Sequence, residues 1–246
     1  MSINTGSNKG PIMQDVEIKN AEVLGILTTW SDYIMGNKEE IQKKIYTQRP
    51  AGVRDGSRTL DHYKSDYYKQ QMLDKAHMHE GYPEAGYLIQ LKTDQIKWND
   101  AADAAFKQEF IDKQNEFNTA LMSTLGIRRN ALIVAYPEEG FIGWHNNNNA
   151  PGYNLIFTFS ETGDGFWQNI NGETGEIEVI RDNPGWNCKS SYFGHWGDVT
   201  GDPASKRNVV WHSAQTETCW RMTCSYLFDL ESKEWWEDST LEVASA

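Results

Sequence analysis

The second half of the chain alternates apolar and polar positions in short runs, whereas the first half mixes such runs with longer polar stretches. Between residues 130 and 228, eight apolar or alternating runs are separated by turns rich in glycine, proline, asparagine and aspartate. The runs are ALIVAY, FIGWH, YNLIFTFS, GFWQNI, GEIEVI, GWNCKSSYF, NVVWHSA and CWRMTCSYLF. Strands of this length and spacing are typical of a sandwich, a jelly roll or a barrel.

The last run has two different faces, because successive side chains of a strand point to opposite sides. One face carries Arg221, Thr223 and Ser225. The other face carries only apolar side chains, namely Trp220, Met222, Cys224, Tyr226 and Phe228. We expect the apolar face to contact helices and the polar face to point into the space that the barrel encloses.

The first half of the chain predicts helices and additional strands. Residues 21–28 and 86–92 are typical of strands, and residues 37–46 and 60–76 are compatible with helices. The clearest helix is predicted from Asp100, as its N-cap, to a stop at Gly126. Its apolar stripe, spaced by three, four and seven residues, consists of Phe106, Phe110, Phe117, Leu121 and Leu125.

Together these patterns predict one domain that is mainly β with flanking helices. Residues 1–129 would form N-terminal helices and extra strands, residues 130–228 a barrel or jelly roll, and residues 229–246 a C-terminal tail. The chain has 246 residues, which is long enough for a substantial core.

Composition and charge narrow the possible partners. The formal net charge is −12, which disfavours nucleic acid and anionic lipid, since both attract cationic surfaces. Three cysteines without metal-site spacing suggest free thiols in an intracellular protein. The N-terminal segment lacks the apolar stretch of a secretory signal, and no long apolar run predicts a membrane span. We therefore expect a cytoplasmic protein that acts on a protein or a small molecule, in an oligomeric state that the sequence leaves open.

Two histidines stand at the ends of predicted strands in the β-rich half. His145 ends FIGWH, His212 ends NVVWH, and Arg221 follows nine residues later. Two imidazoles and an oxygen ligand two residues beyond the first would form a facial triad for non-haem Fe(II). The planar guanidinium suits the distal carboxylate of a dicarboxylate co-substrate. His77 and His79 form a His-x-His pair that nothing nearby completes, so we expect both at the surface.

The segment YPEEGFIGWHNNNNAPGYN, followed by WHSA and WRMTCSY, resembles the double-stranded β-helix core of the 2-oxoglutarate and Fe(II)-dependent dioxygenases. In that family the order is HxD/E, then H, then R/K, and the resemblance covers about residues 130–228. It implies that His145 and His212 bind iron and that Arg221 binds the C5 carboxylate of 2-oxoglutarate. It also implies that Tyr136 contacts the co-substrate and that Thr223 or Ser225 assists Arg221.

The sequence departs from this family at the acidic ligand. Asn147 occupies the position of the Asp or Glu in HxD/E, so the third ligand would add no negative charge to hold the dication. Three interpretations stay open. Asn147 is a working substitute, or the third ligand comes from another segment, or the site has lost its iron. For the second interpretation the candidates are His195, Asp198 and Asp202.

The resemblance implies a dioxygenase that uses Fe(II) and 2-oxoglutarate to hydroxylate a C–H bond of a protein side chain or a small molecule. The GWHNNNNAPGYN segment is also similar to oxygenase-like proteins of tailed bacteriophages, which would place the protein in a host cytoplasm. The alternative is a non-catalytic jelly-roll protein, for binding or assembly, whose metal site is degenerate.

Overall fold

A computed structural model describes residues 13–171, 174–194 and 209–246. Its strands are β1 (Met13–Val16), β2 (Thr47–Gln48), β3 (Gly86–Gln90), β4 (Asn130–Tyr136), β5 (Phe141–His145), β6 (Gly152–Ser160), β7 (Gly165–Ile170), β8 (Ile177–Arg181), β9 (Gly185–Phe193), β10 (His212–Thr216) and β11 (Arg221–Phe228). Its helices are α1 (Ala21–Gly36), α2 (Lys38–Lys44), α3 (Ala51–Arg54), α4 (Leu60–Lys64), α5 (Asp66–Asp74), α6 (Ala104–Thr124) and α7 (Lys233–Ala244).

The strands form one antiparallel sheet that folds back on itself. They pair in the order β1-β9-β6-β11-β4-β3-β5-β10-β7-β8, and β2 also pairs with β3. From β4 onward the chain passes back and forth between two four-stranded halves, β4-β11-β6-β9 and β5-β10-β7-β8, which β3 joins. This is the strand order of a double-stranded β-helix, or jelly roll, so the predicted fold is confirmed. Each of the eight predicted runs contributes one strand from β4 to β11.

One apolar layer lies between the β4-β11-β6-β9 half and the helices α1, α6 and α7. In this layer Trp30 of α1 stacks on Phe117 of α6 with ring centroids 4.9 Å apart. The predicted stripe of α6 is buried here. All five apolar residues of the last run also belong to this layer, as their two-residue spacing predicted.

A second apolar cluster fills the inside of the barrel. Its residues come from both halves of the sheet and include Leu88, Val134, Tyr136, Trp167 and Ala214. The polar face of β11 borders this cluster, because Tyr136 is the cross-strand partner of Arg221. The two faces of β11 are therefore arranged as its sequence predicts.

The prediction of a strand at residues 21–28 is wrong, since these residues form the first half of α1. The side chain of Asn20 caps this helix by accepting hydrogen bonds from the backbone N–H groups of Glu22 and Val23. The buried residues of α1 recur every three or four positions, which is a helical period that the eight-residue window was too short to reveal. They are Val23, Leu27, Trp30, Ser31 and Ile34.

Other boundaries differ by a few residues. The long helix α6 begins at Ala104 rather than beside Asp100, because Asp103 accepts the hydrogen bond from the Phe106 N–H and is the N-cap. Gly126, with a φ of +65°, follows the helix end as predicted. The predicted helical stretch 60–76 divides into α4 and α5 at Ser65, whose hydroxyl caps α5.

The chain after β11 contains the helix α7, which packs on the sheet through Trp235 and Trp236. The strand order begins at β1 and ends at β8, which pairs with β7 alone among the described residues and is therefore an edge strand. Two of its apolar side chains, Ile177 and Val179, are exposed to solvent.

Within the described ranges, none of the helices is long and apolar enough to cross a bilayer. Cys188, Cys219 and Cys224 are free thiols, as predicted, and all three are buried.

Candidate metal centre

His145 and His212 lie side by side inside the barrel. His145 is the last residue of β5 and His212 is the first of β10, and the two are direct partners in the antiparallel pairing. Direct partners project to the same face of a sheet, and both histidines are buried, so both imidazoles point into the barrel. Their ring centroids are 4.1 Å apart, with 55° between the ring planes. The structure thus brings together two residues that are separated by 67 positions in the sequence.

Backbone carbonyl groups fix the orientation of both rings. Nδ1 of His145 lies 2.8 Å from the carbonyl oxygen of Gly143, and Nδ1 of His212 lies 2.8 Å from that of Val210. A carbonyl oxygen only accepts hydrogen bonds, so Nδ1 carries the proton in both rings. Nε2 of each ring therefore keeps its lone pair, as in histidines that bind metals through Nε2.

Both imidazoles are neutral near pH 7. Burial lowers the pKa of His145 to about 4, and the nearby His79 adds to this effect. Burial also lowers the pKa of His212 well below its usual range, and the adjacent His145 lowers it further. Neutral imidazoles are the form that coordinates metal ions.

Aromatic rings hold His212 in place. Trp167 of β7 stacks on the imidazole with centroids 4.3 Å apart, and Phe193 of β9 lies parallel to it at 4.8 Å. These contacts come from both halves of the sheet, so the ring is fixed by the closure of the barrel itself. The position of His212 therefore depends on the fold and not on a flexible loop.

Asn147 lies beside the histidine pair. Its Nδ2 is 3.4 Å from Nε2 of His212. Rotating the amide by 180° exchanges nitrogen and oxygen, so Oδ1 can take the same position. Asn147 has a φ of +54°, a left-handed conformation that asparagine tolerates well. Asn147 begins a turn, because the Ala150 N–H donates to the Asn147 carbonyl at 2.9 Å.

The prediction that His79 lies at the surface is wrong. Its side chain is buried, and its ring lies edge-on to Trp211, one residue before His212, at 4.8 Å. Nδ1 of His79 accepts a hydrogen bond from the Gly81 N–H at 3.0 Å, and its buried Nε2 has no hydrogen-bond partner. A backbone hydrogen bond joins the segment after His79 to the proposed metal site, since the Asn147 N–H donates to the Gly81 carbonyl at 3.0 Å. The His-x-His spacing drew attention to His79, but only the tertiary contact reveals its burial.

Arg221 is buried at the start of β11 and is surrounded by three polar groups. Its Nε donates to Oδ2 of Asp182 at 2.6 Å, and its Nη1 donates to Oγ1 of Thr223 at 2.8 Å. Its guanidinium carbon lies 5.4 Å from the ring centroid of Tyr136. Tyr136, which was expected to contact the co-substrate, and Thr223, one of the two alternatives expected to assist Arg221, are therefore both in contact with it. Asp182 follows β8 directly, and no sequence motif indicated it.

Ser225 does not reach Arg221. It lies four residues further along β11, about 13 Å at the rise of an antiparallel strand, and its hydroxyl donates to Oδ1 of Asn154. The other candidates for a third metal ligand, His195, Asp198 and Asp202, lie outside the described residues. Among the described residues, no group of three or more His, Cys, Asp or Glu side chains could hold a metal ion.

Comparisons with known proteins give similarity of fold only. No protein-family model matches the chain, and no curated protein matches its sequence. A prolyl-4-hydroxylase from Pseudomonas putida is similar at 9% identity and a TM-score of 0.40, covering 88% of this chain and 91% of that chain. An oxidoreductase of the 2OG-Fe(II) oxygenase family from Burkholderia pseudomallei is 12% identical with a TM-score of 0.30, covering 80% and 89%.

The ribosomal oxygenase YcfD from Escherichia coli is also similar, at 12% identity and a TM-score of 0.29. The match covers 58% of this chain and 31% of the YcfD chain. At such values neither a family nor an activity follows from the likeness, because one fold carries many functions. The chemistry of the site has to be judged from its own residues.

Proposed function

We propose that the protein is an Fe(II)- and 2-oxoglutarate-dependent oxygenase that hydroxylates a C–H bond of a small molecule or a protein side chain. The observation that carries this proposal is the pair of buried, neutral imidazoles, His145 and His212, which lie side by side with Nδ1 on a backbone carbonyl and an unprotonated Nε2. In the proposal these two rings and Asn147 hold the iron.

The spacing between the histidine pair and Arg221 supports a co-substrate that spans both. Gly165 of β7 is so close to Arg221 that an added Cβ would lie 2.8 Å from its Cδ. Trp167, two residues along the same strand and on the same face, stacks on His212. The step between Gly165 and Trp167 is about 7 Å along β7, so the guanidinium and the His212 imidazole lie near each other on the same inner face of the barrel.

Each residue has a distinct part in this proposal. When bound, the iron and 2-oxoglutarate would supply the oxidising chemistry, and the protein supplies binding and orientation. Arg221 would bind the distal carboxylate, because its hydrogen bonds to Asp182 and Thr223 use only two of its five N–H groups. Thr223 accepts from Arg221 and can donate its own proton to a ligand oxygen, and Tyr136 bounds the same space. Ser225 is too distant for direct contact with that carboxylate.

The donor set fits Fe(II), but with less charge than a carboxylate would give. Imidazole nitrogens and an amide oxygen are acceptable ligands, yet Asn147 leaves the dication without a neutralising anion. The missing carboxylate also favours the second candidate, a jelly-roll binding or assembly protein whose metal site is degenerate. The two candidates differ in whether the histidine pair binds iron at all.

An anaerobic Fe(II) titration of the metal-free protein, with and without 2-oxoglutarate, distinguishes the oxygenase from the non-catalytic jelly-roll protein. We expect one iron per chain and a visible charge-transfer band when 2-oxoglutarate is added. Removing a ligand in His145→Ala or His212→Ala should weaken iron binding by more than the roughly 10–100-fold that the loss of an outer partner costs. The matched control is His77→Ala, because His77 is exposed on the short turn Ala76–Met78.

Succinate formation under air gives the second readout. A protein that binds no iron, or binds it equally well without His145 and His212, is not the oxygenase proposed here. Iron binding that depends on both histidines but is unaffected by 2-oxoglutarate would also contradict the proposed co-substrate.

A further inference from the structure

A polar cleft lies next to β2 and β3, and its lining includes neither histidine of the pair nor Arg221. It encloses about 350 Å³, within the range of small-molecule sites, and Gln48 and Gln90 lie along its strand side. Gln90 is the cross-strand partner of Val134, which in turn pairs with Thr223. Two strand spacings of about 4.8 Å therefore separate Gln90 from Thr223 on the same face of the sheet.

Three cationic side chains line this cleft. They are Arg49, two residues before α3, Arg54, the last residue of α3, and Lys97 from the segment before α6. Across the described ranges, none of the three lies within 4.0 Å of a carboxylate, although the chain carries 35 acidic residues. The acidic residue of the lining, Glu84, forms its ion pair with Lys75. The cleft therefore has a net positive charge in a strongly acidic protein.

Neighbouring tyrosines contact the two arginines. Nη1 of Arg54 donates to the Tyr46 hydroxyl at 3.4 Å, and the guanidinium of Arg49 lies 5.0 Å from the centre of the Tyr87 ring. These contacts are to neutral groups, so they hold the side chains without neutralising them. Guanidinium groups fixed in this way are suited to carboxylates and phosphates.

Gln90 adds a requirement for a hydrogen-bonding group. Its Oε1 is buried and has no hydrogen-bond partner. A buried amide oxygen without a partner is unfavourable and is normally satisfied by a donor. Rotating this amide by 180° exchanges its nitrogen and oxygen, so the Gln90 side chain, which lines the cleft, offers either a donor or an acceptor to a second polar group of a ligand.

We infer that this cleft binds a small organic anion, through a carboxylate or phosphate group on Arg49, Arg54 and Lys97 and a second polar group on the Gln90 amide. The inference needs neither iron nor 2-oxoglutarate, so it stands or falls independently of the proposed function.

Calorimetric titration of the full chain, freed of metal on a chelating resin and kept in low-salt Tris-chloride, tests this inference. The probes are inorganic phosphate, glycerol 3-phosphate and malate. We expect saturable millimolar or tighter binding, with glycerol 3-phosphate bound more tightly than phosphate if the anionic group is a phosphate, and malate bound if it is a carboxylate. Arg54→Gln and Arg49→Gln should each weaken binding by about tenfold or more, as expected for charge-assisted hydrogen bonds.

Arg128→Gln is the matched control, because Arg128 makes the same kind of contact, over Trp235, on another part of the surface. Its binding constants should equal those of the unchanged protein. Absence of binding for all three probes overturns the inference. So does an equal loss in Arg54→Gln, Arg49→Gln and Arg128→Gln, since it would show only general attraction to surface charge.

Discussion

Asp182 and Arg221 form an ion pair that is almost completely buried, with Oδ2 of Asp182 2.6 Å from Nε of Arg221. The other carboxylate oxygen of Asp182 is buried without a hydrogen-bond partner. Neither charge can be solvated by bulk water, so each depends on the other. Asp182 holds the guanidinium at the inner face of β11, where the proposed co-substrate would bind.

Asp182→Asn should therefore destabilise the fold strongly. Removing one partner of a buried ion pair typically costs about 3–5 kcal/mol in the free energy of unfolding, because the remaining charge is left uncompensated. Urea unfolding followed by circular dichroism measures the free energy of unfolding of each variant. Replacing both charges together, Asp182→Leu with Arg221→Met, should recover much of the loss. Asp229→Asn is the control, since that exposed carboxylate makes only a 3.9 Å contact with Arg129, and a loss as large there would contradict the explanation.

Asn147→Asp should tighten Fe(II) binding by about tenfold or more. A carboxylate restores the charge that the amide lacks, and even unit charges 4 Å apart attract by about 4 kcal/mol at an effective dielectric constant of 20. Aspartate also tolerates the φ of +54° at this position. Anaerobic titration measures the affinity, and Asn149→Asp, on an exposed residue of the same turn, is the control. Unchanged affinity in Asn147→Asp would mean that residue 147 is not a ligand.

Two glycine substitutions should have opposite effects on stability. An added Cβ at Gly165 would lie 2.6 Å from Oδ2 of Asp182, so Gly165→Ala should destabilise by about 1–3 kcal/mol through overpacking. Gly25 is exposed in the middle of α1 with no atom within 4 Å of such a Cβ. Gly25→Ala should therefore stabilise by about 0.5–1 kcal/mol through helix propensity. Thermal unfolding of both variants measures this, and a shift of the same sign in both would refute the packing argument.

The three thiols should differ in reactivity. Burial raises the pKa of Cys188 and of Cys224, which keeps both thiols protonated. Burial also opposes ionisation of Cys219, but hydrogen bonds from Thr162, Thr216 and Ser160 outweigh it and lower the pKa of this thiol. At a mildly alkaline pH of about 8, a thiol reagent should modify Cys219 first. Mass spectrometry of the native protein identifies the site, and Cys219→Ser should remove the fast phase.

The sequence predicted the strands of the barrel better than the helices. The runs from β4 to β11 are short, bounded by turn residues and alternating, so local pattern and final structure agree. The strand prediction for residues 21–28 failed because eight apolar-rich residues at the start of a helix have the same composition as a short strand. The capping role of Asn20 was the available signal, together with the buried positions that continue to Ile34.

The candidate site was predictable only in part. His145, His212 and Arg221 were identifiable from their order and from their positions on predicted strands. Asp182 and His79 were not, because each reaches the site through a contact between segments that are distant in sequence. A single sequence without a motif at these positions does not show such contacts.

The two charges of the Asp182–Arg221 pair are anchored in parts of the barrel with unequal local stability. Arg221 begins β11, which is hydrogen-bonded on both sides, whereas Asp182 follows β8, an edge strand with exposed apolar side chains. Edge elements with little burial open at a lower free-energy cost than central strands. Fraying of β8 would thus release the guanidinium from its carboxylate while the rest of the barrel stays folded. Amide hydrogens of β8 should accordingly exchange with deuterium well before those of β11.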